Sequence, residues 1–388
     1  MNQVYLDNSS TTKPCKTAVE YVENAISENW GNPSSLHRLG LNAENILTEC
    51  RRSAASLIGA EPAEIFFTSG GTESNNIAIK GAAHALKRRG KRIVTSAVEH
   101  PSVLETVGAL ENEGFEVVRL HPDRNGEITE DAIFDAVNSE TVLVSLMLVN
   151  NETGARLPVE AAKKAVTAAG APALIHCDAV QAFGKMPFSV KNLGVDLLSA
   201  SAHKIHGIKG CGILYKSKSA RILPTVFGGH QEKGLRSGTE AVPAIAGLLG
   251  AVRELDVKNT LCKMSELNQY ARKTLSEIDG LHINSGENAL PFILNISLEG
   301  YRSETLLHFL ESKGIFVSSG SACSKGKASY VLLESRLPQP LADSALRLSF
   351  SRFNTKEEVD LLAAALEEAK TSLRRSGGGK IEKLRRKH

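Results

Sequence analysis

From Ile65 onward the chain alternates short β-branched or apolar runs with amphipathic stretches of helical period: "EIFFTSG", "TESNNIAIKGAAHALKRRG", "RIVTSA", "PSVLETVGALENEG", "FEVVRLHP". The rhythm continues through "TVLVSLMLV", "PVEAAKKAVTAAG", "ALIHCDAV" and "VDLLSASAHK". Strands separated by helices cannot pair as tight hairpins and need crossover connections, so the economical solution is α/β, a mostly parallel sheet covered by helices. Ligands in such sheets sit beyond the carboxyl ends of the strands. Chemistry is therefore to be sought in the residues that follow each apolar run.

After about Val257 the rhythm changes to a helix ("LNQYARKTLSEI"), spaced strands ("LHINS", "FILNISLEG", "IFVSSG", "ALRLSFSRF") and further helices, which predicts a smaller α+β domain. A length of 388 residues suits about two domains. With 46 basic against 43 acidic side chains the net charge is only +3, so direct contact with nucleic acid is not expected from the body of the chain. The six cysteines form no C-x-x-C pair, and no metal is implied. "MNQVYLDNSSTT" lacks a basic then apolar leader, and no apolar run approaches the roughly 20 residues of a membrane span. A cytoplasmic protein with free thiols is the expectation.

In "SASAHKIHGIKG", Lys204 follows an apolar run and precedes a glycine-rich turn, which places its amine at a strand's carboxyl end. A lysine there suits a Schiff base, with His203 as a neighbour that could depress its pKa; taken alone, it fits a surface charge as well. Asp178 in "IHCDAVQAFGK" ends another apolar run and could put a fixed negative charge in the same crevice, as pyridoxal phosphate requires opposite its ring nitrogen. "FFTSGGTESNN" supplies a strand, a turn whose N–H groups can approach an anion, and Thr72 opening a helix, though an ordinary βα loop reads the same way. His100 in "AVEHPS" sits after a strand and before a proline-started helix, a place from which it could stack on a planar cofactor or shuttle protons.

With "YLDNSSTT", "GNPSSLHRLG", "VNNETG", "LRSGTE", "GSACS" and "LRLSFSRF" added in order, the chain resembles the NifS/IscS-like cysteine desulfurases of the aminotransferase class V family over nearly its whole length. The resemblance implies a fold-type-I pyridoxal 5'-phosphate enzyme with a seven-stranded, mostly parallel sheet. Its large domain would span 16–257 and its small domain 1–15 and 258–373, the latter carrying the 318–329 loop, with 374–388 a basic, disordered tail. It implies Lys204 as the Schiff-base lysine, His100 on the pyridine ring, Asp178 at the ring nitrogen and Gln181 at the phenolic oxygen. Gly71, Thr72, Ser201 and His203 would hold the phosphate, and Thr239 would reach the phosphate of a second subunit in a homodimer. Asn151 and Arg347 would bind the substrate carboxylate, with Arg352 as the alternative arginine.

Cys323 stands in "SSGSACSKGKAS", among residues too small, flexible or charged to form a core. The resemblance gives it a role as the thiolate that takes sulfur from L-cysteine as a persulfide and leaves L-alanine. Lys325 and Lys327 nearby would favour the thiolate. The loop after Cys323 is shorter and more basic than the resemblance leads one to expect, and His230 stands where many relatives have glycine. Selenocysteine lyase or another β-lyase, and a partner-dependent sulfur relay, remain as alternatives. The sulfur acceptor could be an iron–sulfur scaffold, a tRNA-thiolating enzyme or a cofactor pathway. From Arg374 to His388 seven Lys or Arg face one Glu, which suits a solvated end or an acidic partner.

Overall fold

The computed structural model describes residues 3–123, 127–319 and 329–375. Cys323, Lys325, Lys327 and all of the tail beyond Arg375 lie outside the described residues.

Seven strands form the main sheet in the spatial order Ile65–Thr68, Gly212–Lys216, Leu197–Ser201, Leu174–Asp178, Thr141–Met147, Arg92–Ser96, Glu116–Leu120. Gly212–Lys216 runs antiparallel to both neighbours, and every other pairing is parallel. The exception has a local cause: the segment between Leu197–Ser201 and Gly212–Lys216 holds one short 3₁₀ turn, too little chain for a crossover helix. All residues of Thr141–Met147 are buried, as a strand covered on both faces requires. Each such Val, Leu or Met contributes about 1.5–3 kcal/mol relative to an exposed one.

A second, antiparallel sheet has the order Ala345–Ser349, Ile293–Leu298, Leu281–Ile283. Helix Val257–Ser276 packs on its edge and against helix Lys356–Ser372. The latter begins where Glu358 accepts from Thr355 N at 3.1 Å, satisfying a backbone donor that the first turn would otherwise leave free.

The N-terminal segment stitches the two sheets together. Val4–Tyr5 pairs in parallel with Ile315–Phe316, and single bridges join Asp7 to Ser349 and Ser318 to Arg347. The segment then crosses to the large sheet, where Thr12 N and Thr12 Oγ1 donate to His203 O at 2.9 and 3.0 Å. Among the described residues no helix is long and apolar enough to cross a membrane.

Candidate active site

The carboxyl ends of the parallel strands and the N-terminal segment enclose one cleft. Lys204 closes the short turn Ala202–Lys204 that follows strand Leu197–Ser201. Its Nζ donates to Ser9 O at 2.5 Å and to Ser10 O at 2.7 Å. Burial pushes this amine down to about 8, helped by the Arg347 cation and opposed by Asp7 and Asp178. About a tenth of it is then the nucleophilic free base near pH 7, against about one part in a few thousand for an ordinary lysine.

An anion-binding corner lies beside it. Ser201 is buried, and its Oγ has no hydrogen-bond partner. His203 places Nδ1 3.2 Å from Thr11 Oγ1, and burial, then Lys204, hold its pKa down to about 4. Gly71 begins helix Gly71–Leu86, and a Cβ built on it would stand 3.8 Å from Ser201 Cβ, so the N-terminus of the helix lies beside this corner. A Cβ on Gly71 would stand 2.6 Å from Val180 Cγ2, so only glycine lets the turn approach the loop that follows Asp178. Thr72 is exposed beside it. Glu73 braces the turn, accepting from Ser69 N at 2.5 Å and from Arg236 Nε at 3.1 Å. Thr239, three residues beyond Arg236, is exposed, as a residue that serves a second copy would need to be.

Asp178 ends strand Leu174–Asp178 and is buried, with Oδ1 accepting from Val180 N at 3.0 Å and Oδ2 from Asn75 Nδ2 at 2.7 Å. Gln181 donates from Nε2 to Ser9 O at 3.0 Å and accepts from Lys185 Nζ at 3.0 Å. His100 is exposed by surface area yet faces the cleft, so its walls still desolvate the ring and push its pKa below the usual imidazole value.

Arg347 and Arg352 separate cleanly. Arg347 Nη1 donates to Asn151 O at 3.0 Å, while Nη2 reaches Asp7 Oδ1 at 2.8 Å and Ser10 Oγ at 2.6 Å. Arg352 turns instead to Glu254, donating to its carbonyl at 2.7 Å and to its carboxylate. Arg347 Nε and Asn151 Oδ1 are buried without partners. The spare Arg347 Nε donor suits a bound carboxylate, whereas Asn151 can serve one only through its amide Nδ2 and not through Oδ1.

Tested against pyridoxal phosphate, these residues fit. The amine of Lys204 suits its aldehyde and the carboxylate of Asp178 its ring nitrogen. Ser201 Oγ, the Gly71 turn and His203 suit a phosphate, and the open face of His100 suits the ring. No group of three or more His, Cys, Asp or Glu side chains among the described residues could hold a metal ion.

Several residues of the cleft carried no sequence signal. Asp7, Ser9 and Ser10 act partly through backbone oxygens, which leave no side-chain signature, although "YLDNSSTT" marked the segment. Lys185 is buried beside Gln181, and burial, then Lys204 and Arg347, push its amine down to about 7. Burial raises Glu99 to about 8, although Ser96 Oγ and Met147 N bond its carboxyl, and raises Glu152 to about 7 beside Ser329 and Arg347. Both carboxyls had appeared only as letters flanking motifs.

Comparison with known proteins agrees with this geometry. The aminotransferase class-V family profile matches residues 4–362. A NifS/IcsS protein homolog from Lactobacillus delbrueckii subsp. bulgaricus is 44% identical over 94% of this chain and 96% of its own. Cysteine desulfurase IscS from Methanosarcina thermophila is 40% identical over 96% of this chain and 93% of its own. A solved structure described as a NifS-like protein superposes with a TM-score of 0.90 at 36% identity, covering 96% of this chain and all of that one (100%). Another, SspA in complex with cysteine, gives a TM-score of 0.81 at 32% identity over 91% of this chain and 100% of that one. Sequence, fold and cleft together place this chain in the aminotransferase class-V family, among the NifS/IscS cysteine desulfurases.

Proposed function

We propose that the chain takes sulfur from L-cysteine onto its own Cys323 and releases L-alanine, using pyridoxal 5'-phosphate. The observation that carries this reading is Lys204, a partly deprotonated amine held by Ser9 O and Ser10 O within the same cleft as the Arg347 guanidinium. When bound, the cofactor supplies an electron sink for the bonds around the substrate Cα.

The protein's own residues do the rest. Asn151 and Arg347 hold the substrate carboxylate, and Lys204 as free amine takes the Cα proton. Asp178 keeps a negative charge opposite the cofactor ring nitrogen, Gln181 donates to the phenolic oxygen, and His100 covers the ring. Gly71, Thr72, Ser201 and His203, with Thr239 from a second copy, donate hydrogen bonds to the phosphate. The Cys323 thiolate then attacks the substrate sulfur: an S–S bond forms, the Cβ–S bond breaks, the pair left on Cβ takes a proton to give the methyl group, and Lys204 returns the proton to Cα to complete alanine. The homodimer, the cytoplasmic setting and delivery of the sulfur to an iron–sulfur scaffold or a tRNA-thiolating enzyme belong to the same proposal.

The test is to incubate the full-length protein with L-cysteine and quantify alanine and protein-bound persulfide in wild type, Cys323→Ser and Lys204→Ala. Both products should fall to background in Lys204→Ala, and persulfide should vanish in Cys323→Ser. Persulfide at the wild-type level in Cys323→Ser would remove that thiol as carrier. A colourless wild type that makes no alanine even with added pyridoxal phosphate would remove the reading as a whole.

A further inference from the structure

His100 caps helix Pro101–Asn112 with its own ring, accepting at Nδ1 from Ser102 N at 3.1 Å. Ser102 Oγ lies 2.8 Å from the same nitrogen and 2.9 Å from Asn75 Nδ2. Asn75 Nδ2 in turn lies 2.7 Å from Asp178 Oδ2. Four side chains from three separate parts of the chain thus form one line.

Donor and acceptor chemistry leaves one arrangement of protons along it. An ionised carboxylate only accepts, so Asn75 turns its amide nitrogen toward Asp178 and gives its second N–H to Ser102 Oγ. Asn75 Oδ1 is consequently buried without a partner, and flipping the amide would exchange that deficit for two oxygens in contact. Ser102 Oγ, already accepting, has a single proton to give, and it goes to His100 Nδ1. That nitrogen accepts twice, so the ring's own proton sits on Nε2. The helix acts in the same sense, because the positive end of its dipole lies at Ser102 N and opposes an imidazolium there.

We propose that Ser102 and Asn75 are positioning residues that hold His100 as its neutral Nε2–H tautomer, giving the cleft a flat ring and one N–H donor but no basic nitrogen. The orientation of the whole line is set at Asp178, so the carboxylate opposite the ring nitrogen also governs the ring that covers it. The inference takes from the proposed function only that the cleft holds a planar cofactor.

The test is long-range ¹H–¹⁵N correlation spectroscopy of the full-length, cofactor-loaded protein labelled with ¹⁵N-histidine, with the His100 signals identified by their loss in His100→Gln. Wild type should show the Nε2–H pattern at about pH 7.5. The charged groups facing the ring are Asp178 and Lys204. Ser102→Ala leaves both in place and removes one of the two donors to Nδ1, so the protonation midpoint of the ring should rise by up to about one pH unit. An Nδ1–H tautomer or an imidazolium in wild type overturns the proposal, whatever the behaviour of Ser102→Ala. A midpoint in Ser102→Ala equal to that of wild type, with the titration carried below about pH 6 as far as the fold holds, removes the part assigned to Ser102. Failure to form persulfide with an intact Nε2–H signal would bear on the proposed function and leave this one standing.

Discussion

The guanidinium of Arg347 is engaged by the carboxylate of Asp7, 2.8 Å away, on the side of the cleft where Asn151 also meets it. The pair joins the small sheet to the first residues of the chain, and its arginine side chain is 7% exposed. A substrate carboxylate bound at Arg347, as proposed above, would share or replace Asp7 as its partner.

From this follows an asymmetric pair of kinetic effects. Arg347→Lys keeps the charge but loses the fork, and a charged hydrogen bond of about 1.5–3 kcal/mol corresponds to a KM for L-cysteine raised about 10- to 100-fold. Asp7→Asn removes the competitor and should lower KM while leaving the strand pairing of Val4–Tyr5 intact. Steady-state alanine production measures both, and a higher KM in Asp7→Asn would mean that Asp7 orients Arg347 and does not compete for it.

The reactivity of Lys204 should carry the signature of its surroundings. Reductive labelling of the cofactor-free protein with formaldehyde, read by peptide mass spectrometry, should reach half its maximal rate at Lys204 near pH about 8, where surface lysines titrate near about 10.4. Burial is the main cause and persists in Arg347→Met, whereas the contribution of the cation does not. The midpoint should rise in that variant and fall in Asp7→Asn.

Glu99 gives the protein a pH-dependent stability of definite sign. Burial raises its folded pKa to about 8, above an unfolded value of about 4.3. A group raised in this way contributes stability that is fully present below about pH 4.3 and is lost as pH climbs through about 8. Glu99→Gln should be flatter than wild type across that window, measured as urea midpoints at several pH values. Parallel curves would show that the carboxyl ionises in place or escapes burial.

Glu232 holds a strained loop. His230, Glu232 and Lys233 all have positive φ, at 65°, 47° and 57°, a region that costs non-glycine residues about 1–3 kcal/mol each. The buried Glu232 carboxylate offsets this strain, meeting Arg51 Nη1 at 2.8 Å, Arg51 Nη2, and Phe67 N at 3.0 Å. Glu232→Ala leaves the Arg51 charge without its carboxylate, although Nη1 keeps Ile65 O at 2.7 Å, leaves the Phe67 N–H unpaired, and should destabilise by about 3 kcal/mol. Replacing His230 with glycine, which relieves one positive φ, should stabilise by a fraction of that amount. Thermal denaturation of the two variants checks both.

The residues that sequence reading could place share one property: each follows an apolar run and precedes glycine, proline or a helix start. Lys204, Asp178, Ser201 and His100 lie at strand ends for that reason. The resemblance favours Arg347 over Arg352; the strand stops at Ser349, and Arg352, beyond its end, turns to Glu254. Asp7, Ser9 and Ser10 were opaque, because they reach Lys204 and Arg347 across almost the whole sequence and mostly through backbone oxygens. The antiparallel strand Gly212–Lys216 was concealed by an apolar run that reads like its parallel neighbours. Lys185 and Glu99 were missed because burial is what makes each unusual, and a single letter does not disclose burial.

The stitch made by residues 4–12 fixes when the site can exist. Ser9 N donates to Ser349 Oγ across 340 positions, and Lys204 reaches Ser9 O across 195. Contacts of such high contact order form late, because loop closure must be paid before they return anything. On a ribosome residues 4–12 are made long before strand Ala345–Ser349 and must wait for it before their backbone is fixed. The nascent chain therefore carries its lysine unarmed until that strand has joined the fold.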